Sequence, residues 1–270
     1  MSDSEVDIRP LRTQEELHAC VDLQRETWGN EFTDVVPASI LKVSQRIGGV
    51  AAGAFDDQNR LLGFVYGLTG VEDGRIVHWS DMLAVRAEAR NLKLGRRLKE
   101  FQRHAVQQLG ATVIYWTYDP LVARNAHLNL NVFGVRIAEY VEDMYGETES
   151  PLHRGIGTDR FIVAWPVPDV DVRKRLDETH AAGVNRELLS APILNPGNDG
   201  SAARGAIPSA ARVEVPLDIN GMQTSDRDQA IAWRRSTRSA FGRALTAGLT
   251  VCGFVIDDCV QRGYYLLGRP

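Results

Sequence analysis

What the sequence lacks narrows its function early. Across 270 residues no apolar run approaches the roughly 20 that a membrane-spanning helix needs. Cysteine is scarce and odd in number, with 3 in the chain, and only Cys252 and Cys259 lie near each other. That excludes a disulfide framework and leads us to expect reduced, mostly buried thiols. The 6 histidines lack metal-ligand spacing with one another or with the cysteines, so no metal is expected. There is no Gly-x-Gly-x-x-Gly, no P-loop and no Gly-x-Ser-x-Gly elbow. Neither sign of charge dominates: 31 Lys+Arg face 35 Asp+Glu, a net charge of -4. This speaks against nucleic acid as the main partner. The opening Met1-Ser2-Asp3-Ser4-Glu5 has neither the basic start nor the apolar stretch of a signal peptide, so the expected location is the cytoplasm, with no membrane anchor.

What is present reads as an ordinary globular chain, 44% hydrophobic and 24% charged. Val6 to Arg9 opens as a strand. Thr13 and Glu16 are spaced as a capping box, with Leu17, Cys20, Val21, Gln24 and Trp28 following at helical intervals. Pro37 suits the first turn of a second helix. Gly49 to Phe55 and Leu61 to Thr69, parted by Asp56-Asp57-Gln58-Asn59, read as a hairpin. Arg75 to Val85 is a further strand. Leu94 to Leu109 carries an apolar stripe of Leu94, Leu98, Phe101, Ala105 and Leu109, with Arg96, Arg97, Lys99 and Glu100 on the rest of its surface. Ala111 to Tyr118 reads as a buried strand, Leu121 to Phe133 as a helix, and Arg136 to Asp143 and Asp159 to Trp165 as strands. This interleaving gives an α+β class with α/β-like alternation.

The composition shifts after Pro166. We therefore place one domain over 1–167 and a C-terminal α/β extension over 168–270. The extension holds a charged helix at Asp171 to His180, a mobile loop near 195–211 and a strand from Arg212. A basic helix from Ser225 to Ala247 and a closing hairpin complete it.

The stretch richest in chemistry is Ser80-Asp81-Met82-Leu83-Ala84-Val85, then Arg86 to Leu92, then Lys93-Leu94-Gly95-Arg96-Arg97-Leu98. It reads as strand, loop and helix, bringing basic residues and a glycine to a helix N-terminus. Such a terminus offers unpaired N–H groups and the positive end of a dipole, and so suits phosphate. Arg90-Asn91-Leu92-Lys93-Leu94-Gly95 resembles the acyl-CoA-binding loop of the GNAT superfamily of N-acyltransferases, Arg/Gln-x-x-Gly-x-Gly/Ala, with Lys93 where the family has its first glycine. Asn125 after the buried strand, and Phe133-Gly134-Val135 at a position where relatives carry Leu-Gly-Phe, strengthen the resemblance, which runs through Trp165. Gly157-Thr158-Asp159-Arg160-Phe161, Asp119-Pro120 and Arg124-Asn125-Ala126 are similar to a bacterial branch with an added C-terminal region, whose members include amino-acid N-acyltransferases.

The resemblance implies a mostly antiparallel, mixed central sheet flanked by helices. It further implies acetyl-CoA or another acyl-CoA, succinyl-CoA included, as co-substrate, and a small-molecule primary amine such as an amino acid as acceptor. Leu83, Val85, Arg90, Lys93, Leu94, Gly95, Arg96 and Asn125 would hold the CoA. The strand ending Leu83-Ala84-Val85 would part from its neighbour, freeing backbone groups for the pantetheine arm. The acyl group would pass directly to the amine, which needs a base for the ammonium proton and an acid for the departing thiolate.

Asp81 is the candidate base, on a face shared with Trp79 and Leu83 by strand alternation; Glu139 and Glu142 are alternatives. The tyrosine that relatives use as acid is replaced by Leu130, leaving Tyr118 and Tyr145 as candidates, with Tyr140 read as core. Arg124, Asn129 and Arg160 are candidates for the acceptor; an arginine fork suits a carboxylate. Arg234, Arg235 and Arg238 on the late helix read either as a solvated face or as a filter for anionic substrates. Many relatives dimerise, so a homodimer is an open expectation. The rival reading is a catalytically degenerate acyl-CoA sensor.

Overall fold

Thr13 and Glu16 do what their spacing predicts. In the computed structural model, which describes residues 6–146, 156–167, 186–198 and 205–269, they close a capping box at the start of α1 (Gln14–Trp28). The Thr13 hydroxyl accepts the Glu16 N–H, and the Glu16 carboxylate accepts the Thr13 N–H. The α2 helix (Ala38–Arg46) starts directly after Pro37. The strands β1 (Asp7–Pro10), β2 (Val50–Phe55), β3 (Leu61–Glu72) and β4 (Arg75–Val85) pair antiparallel in chain order. After a 3-10 turn at Ala87–Leu92, the α3 helix (Leu94–Gln108) leads to β5 (Val113–Tyr118), which pairs parallel to β4. These elements make the first of two compact units, residues 1–116 with 166–168; the second holds 117–165 with 169–270. Pro166 and Val167 join the first unit because Val167 N–H bonds the Thr112 carbonyl and Arg103 bonds the Pro166 and Val167 carbonyls.

The first-unit sheet is covered on both faces. On one, Leu17, Cys20, Leu23 and Leu41 from α1 and α2 pack with Phe64, Tyr66, Met82 and Ala84. Each leucine, phenylalanine or methionine among them, fully buried, contributes about 1.5–3 kcal/mol. On the other, α3 buries Leu94, Leu98, Lys99, Gln102 and Val106. Its inner stripe thus runs through two polar residues, and Leu109, expected inside, is exposed.

The β3–β4 register slips once. Tyr66 pairs with Met82 but Gly67 pairs with Ser80, leaving Asp81 as the extra residue of a bulge. A bulge reverses the faces that alternate side chains take. Before it, His78 and Ser80 point to α3, where they bond Gln102 and Lys99. After it, Met82 and Ala84 belong to the α1–α2 core. Gly67 is required there: a Cβ would lie 2.4 Å from His78 Nε2 and 2.6 Å from the Trp79 carbonyl oxygen.

In the second unit, α4 (Ala123–Ala126) passes directly into a π-helical turn at His127–Val132, where one regular helix was expected. The β6 (Arg136–Val141) and β7 (Arg160–Pro166) strands pair antiparallel. A short α5 (Arg186–Ser190) precedes a three-stranded sheet of β8 (Ala210–Pro216), β9 (Thr250–Asp257) and β10 (Arg262–Gly268), in the order β8, β10, β9. The expected late helix is present as one continuous helix, starting two residues after Ser225 and preceded by a separate short one. Asp226 caps a 20-residue α7 (Arg227–Thr246) and ends a separate α6 (Ile219–Ser225). The loop expected near 195–211 is anchored at its start: the fully buried Asn195 exchanges hydrogen bonds with the Glu214 backbone. The helix expected at Asp171 to His180 lies outside the described residues. Cys20 is buried, but Cys252 and Cys259 are exposed, which corrects the expectation of mostly buried thiols.

Candidate functional site

The β4–β5 ladder is short. It pairs Val77 with Val113, His78 with Ile114 and Trp79 with Tyr115, and stops there although β4 runs on to Val85. Among the described residues, β4 keeps only its β3 neighbour from Ser80 onward. Every second residue of that stretch turns its N–H and C=O toward the side without a partner strand.

At the far end of this free edge stands the N-terminus of α3. Lys93 precedes it in the left-handed conformation, φ 52° and ψ 24°, and supplies no side-chain cap. The first turn has no acidic residue, and the Leu94 and Gly95 N–H groups meet no acceptor among the described residues. Arg90 and Lys93 are exposed and ion-pair with nothing described, whereas Arg96 is held by Glu100 at 2.8 Å. Gly95 has no conformational need to be glycine: a Cβ there would meet only Leu83 Cδ2, at an ordinary 3.6 Å. Leu83 and Val85 are half-buried.

The opposite end of the edge is where the two strands part, and its chemistry escaped the sequence reading. Lys99, expected on the solvated face of α3, is only 4% exposed. Its Nζ donates to Ser80 Oγ at 2.7 Å and lies 3.8 Å over the Trp116 ring. Desolvation lowers its pKa from 10.5 to about 7. His78 is fixed beside it. Thr69 Oγ1 spends its proton on the Gly48 carbonyl, so it accepts from His78 Nδ1, and His78 Nε2 accepts from Gln102. Burial, then the Lys99 charge, lowers the His78 pKa to about 4. A lysine one place from the apolar stripe was the only signal available.

Asp81 sits on the bulge. Its carboxyl is accessible yet crowded, and desolvation, with the charge of Asp34 second, raises its pKa; a hydrogen bond from Trp79 acts in the opposite sense. Asp81 therefore shares a face with Trp79 as expected, but not with Leu83, which lies against α3 beyond the bulge. Asp34 comes from the loop between α1 and α2 and was not foreseen.

The remaining candidates belong to the second unit. Tyr118 is buried, its hydroxyl has no hydrogen-bond partner among the described residues, and burial pushes its pKa up. Tyr145 is 53% exposed and bonds Thr117 Oγ1 at 3.0 Å. Tyr140 is part of an aromatic core with Phe161 and Phe241, and donates to Asp159. Asn125 is half-buried, Arg124 exposed and Asn129 buried. Arg160 is buried, 3.7 Å from Asp119, with its guanidinium on the Asp159 carbonyl. Arg234 bonds Asp119 at 2.5 Å, and Arg238 bonds Asp159 and Asp143. Arg234 is thus held in a buried ion pair, and the half-buried Arg238 is held by carboxylates, so neither is a free anion filter.

No family model and no curated protein sequence matches the chain. Among solved structures it is similar to GNAT N-acetyltransferases. One is the NatC complex bound to Gag peptide and CoA: 18% identity and a TM-score of 0.48 over 60% of this chain and 98% of that one. Another is an N-acetyltransferase from Staphylococcus aureus, at 14% identity, a TM-score of 0.48, and 60% and 98% coverage. A third is the putative acetyltransferase yncA from Salmonella typhimurium with acetyl-CoA, at 13% identity, a TM-score of 0.48, and 61% and 95% coverage. The chain itself has a mixed α+β architecture, its first-unit sheet mostly antiparallel and flanked by helices. No helix among the described residues is long and apolar enough to cross a membrane.

Proposed function

We propose that this protein is an acyl-CoA-dependent N-acyltransferase that passes an acyl group directly to a primary amine of a small molecule. The observation that carries this reading is the continuity of one surface: the unpaired edge of β4 from Ser80 to Val85 ends at the uncapped N-terminus of α3. That surface suits an acyl-CoA part by part. The Leu94 and Gly95 amides, the helix dipole, Arg90 and Lys93 favour the pyrophosphate. The free N–H and C=O groups of β4 suit the amide-bearing pantetheine arm. The missing Cβ at Gly95 leaves room where the two meet. When bound, the thioester supplies the activated acyl carbonyl; the protein supplies position and proton transfer.

Asp81 is the base in this reading. It faces the α1–α2 side with Trp79, and its raised pKa makes it a stronger proton acceptor than an ordinary carboxylate. Asp34 beside it favours a cationic acceptor on that side. The acyl group, acetyl or succinyl, is read out by the same experiment: CoA release from acetyl-CoA and succinyl-CoA against a panel of amino acids and polyamines. Amine-dependent release is expected, falling about 100-fold in Asp81→Asn, with CoA affinity little changed. Binding without turnover across the panel would turn the reading to a sensor; no CoA binding would end it.

A further inference from the structure

We infer that Lys99 is the acid that protonates the departing thiolate, delivered through the fork where β4 and β5 separate. The inference rests on the acyl-CoA reading above and adds a residue to it. Trp79 and Tyr115 form the last pair of the ladder. The next residue on each strand, Ser80 and Trp116, is the one that holds the Lys99 ammonium. Lys99 therefore sits at the root of the opening, on its α3 side.

The distance agrees. Val85 to Ser80 provides about 17 Å of free edge at about 3.3 Å per residue, a span that an extended pantetheine arm matches. The α3 helix runs back along this edge, Gly95 against Leu83 and Lys99 against Ser80. An arm anchored by its pyrophosphate at Leu94 and Gly95 thus brings its sulfur to the Lys99 end. Asp81 lies on the opposite, α1–α2 face, so the attacking amine and the leaving sulfur are served from different sides.

A buried ammonium normally has a carboxylate. Among the described residues Lys99 has none: a hydroxyl and an indole ring face it from β4 and β5, Gln102 comes from its own helix, and the one other titratable group that faces it, His78, is held neutral. Only one of its three N–H donors is spent on Ser80. In the step proposed, the acyl C–S bond breaks as the amine nitrogen completes its bond to the acyl carbon. The electron pair stays on sulfur and takes a proton from Lys99 Nζ, giving CoA thiol and a neutral lysine. Asp81 receives the proton lost by the amine, and Lys99 is reprotonated from solvent. Burial supports this by holding Lys99 close to the ordinary pKa of a thiol.

The test uses the purified full-length protein, with Lys99→Met and with Lys99→Gln, which keeps a donor for Ser80 without the charge. CoA binding is measured by calorimetry, and the thiol of bound CoA is titrated by its ultraviolet thiolate absorbance. The native protein is expected to lower that thiol's pKa by about one unit or more. Both variants should bind CoA within a few-fold of native, return the thiol to its free value, and lose about 100-fold in turnover. Variants that titrate the bound thiol as the native chain does would overturn the inference and leave the acyl-CoA reading standing. Variants that no longer bind CoA would assign Lys99 to holding the fork open, and would overturn the acid role. A native chain that does not bind CoA would end the reading, and this inference with it.

Discussion

Lys93 and Gly95 stand in an order inverse to what backbone economy asks. The position that needs φ of 52° holds a lysine, and the helical position two residues later, where alanine fits, holds a glycine. A left-handed lysine costs about 1–2 kcal/mol, and a glycine inside a helix costs about 1 kcal/mol against alanine. Both costs make sense if the loop is shaped for an anion: the lysine supplies charge and the glycine supplies room. Lys93→Gly and Gly95→Ala should therefore each raise stability by about 0.5–1 kcal/mol in urea denaturation. Each should also weaken CoA binding, the glycine replacement by about tenfold. A variant that gained stability at unchanged affinity would remove that residue from the site. The loop was legible in the sequence because its residue types carry its chemistry locally. Lys99 was not, because its burial depends on a helix stripe that runs through Leu98, Gln102 and Val106, and polar side chains hide such a stripe from hydrophobic periodicity.

At the scale of elements, the same limit explains what was read well and what was not. Strands and helices with strong periodicity appear where expected, and the Thr13 box and Pro37 mark their helix starts. The bulge at Asp81 is a matter of register with β3, which no local pattern encodes, so the face of Leu83 was misread. The π-helical turn at His127–Val132 likewise has no signature in hydrophobic periodicity, so one regular helix from Leu121 to Phe133 was expected there. Arg234 and Arg238 of α7 were read as a solvated face or an anion filter because their partners lie far away in the chain, at Asp119 and Asp159. Asp119 also accepts the Leu121 N–H at 2.8 Å, so it both shapes the turn into α4 and neutralises Arg234. Removing Arg234 takes from the buried Asp119 its nearer cation and leaves only Arg160 at 3.7 Å, and removing Asp119 strands the buried Arg234. Arg234→Met should cost about 3–5 kcal/mol. The double variant with Asp119→Asn should cost less than the two single changes combined, with a coupling of about 1–3 kcal/mol. Additive losses in chemical denaturation would show that this pair is not coupled.

For the whole molecule, the buried bases set the pH at which the fold is most stable. His78 titrates near 4 when folded against an ordinary value of 6.5. Between those values the unfolded chain holds more protons, so stability rises with pH; its contribution is fully present above 6.5 and is lost by about 3 kcal/mol as pH falls to 4. Asp159 and Glu16, held below the usual carboxylate range, lose their contributions in the same acid direction. Lys99 acts in a higher window. With a folded pKa of about 7 against 10.5, it makes stability rise with pH from about 7 upward, with a slope approaching about 1.4 kcal/mol per pH unit. Asp81 opposes it, because a carboxyl whose pKa is raised destabilises the fold once ionised, but that change is complete once the pH is well above its raised pKa. The tyrosines at 118, 140 and 265, all pushed up by burial, oppose it only when the unfolded chain begins to lose phenol protons near 10. Cys20, its thiol pushed up to about 12 by burial, opposes Lys99 from about pH 9 upward, so the stability maximum should lie on the alkaline side of neutrality, at about pH 8 to 9. Urea denaturation from pH 4 to 10 reads this directly. Lys99→Met should be more stable than the native chain at pH 7 and should flatten the limb above it, while leaving the His78 limb in place. A native curve already flat from pH 7 to 9 would mean that Lys99 keeps its charge when folded, with a partner strong enough to offset its burial.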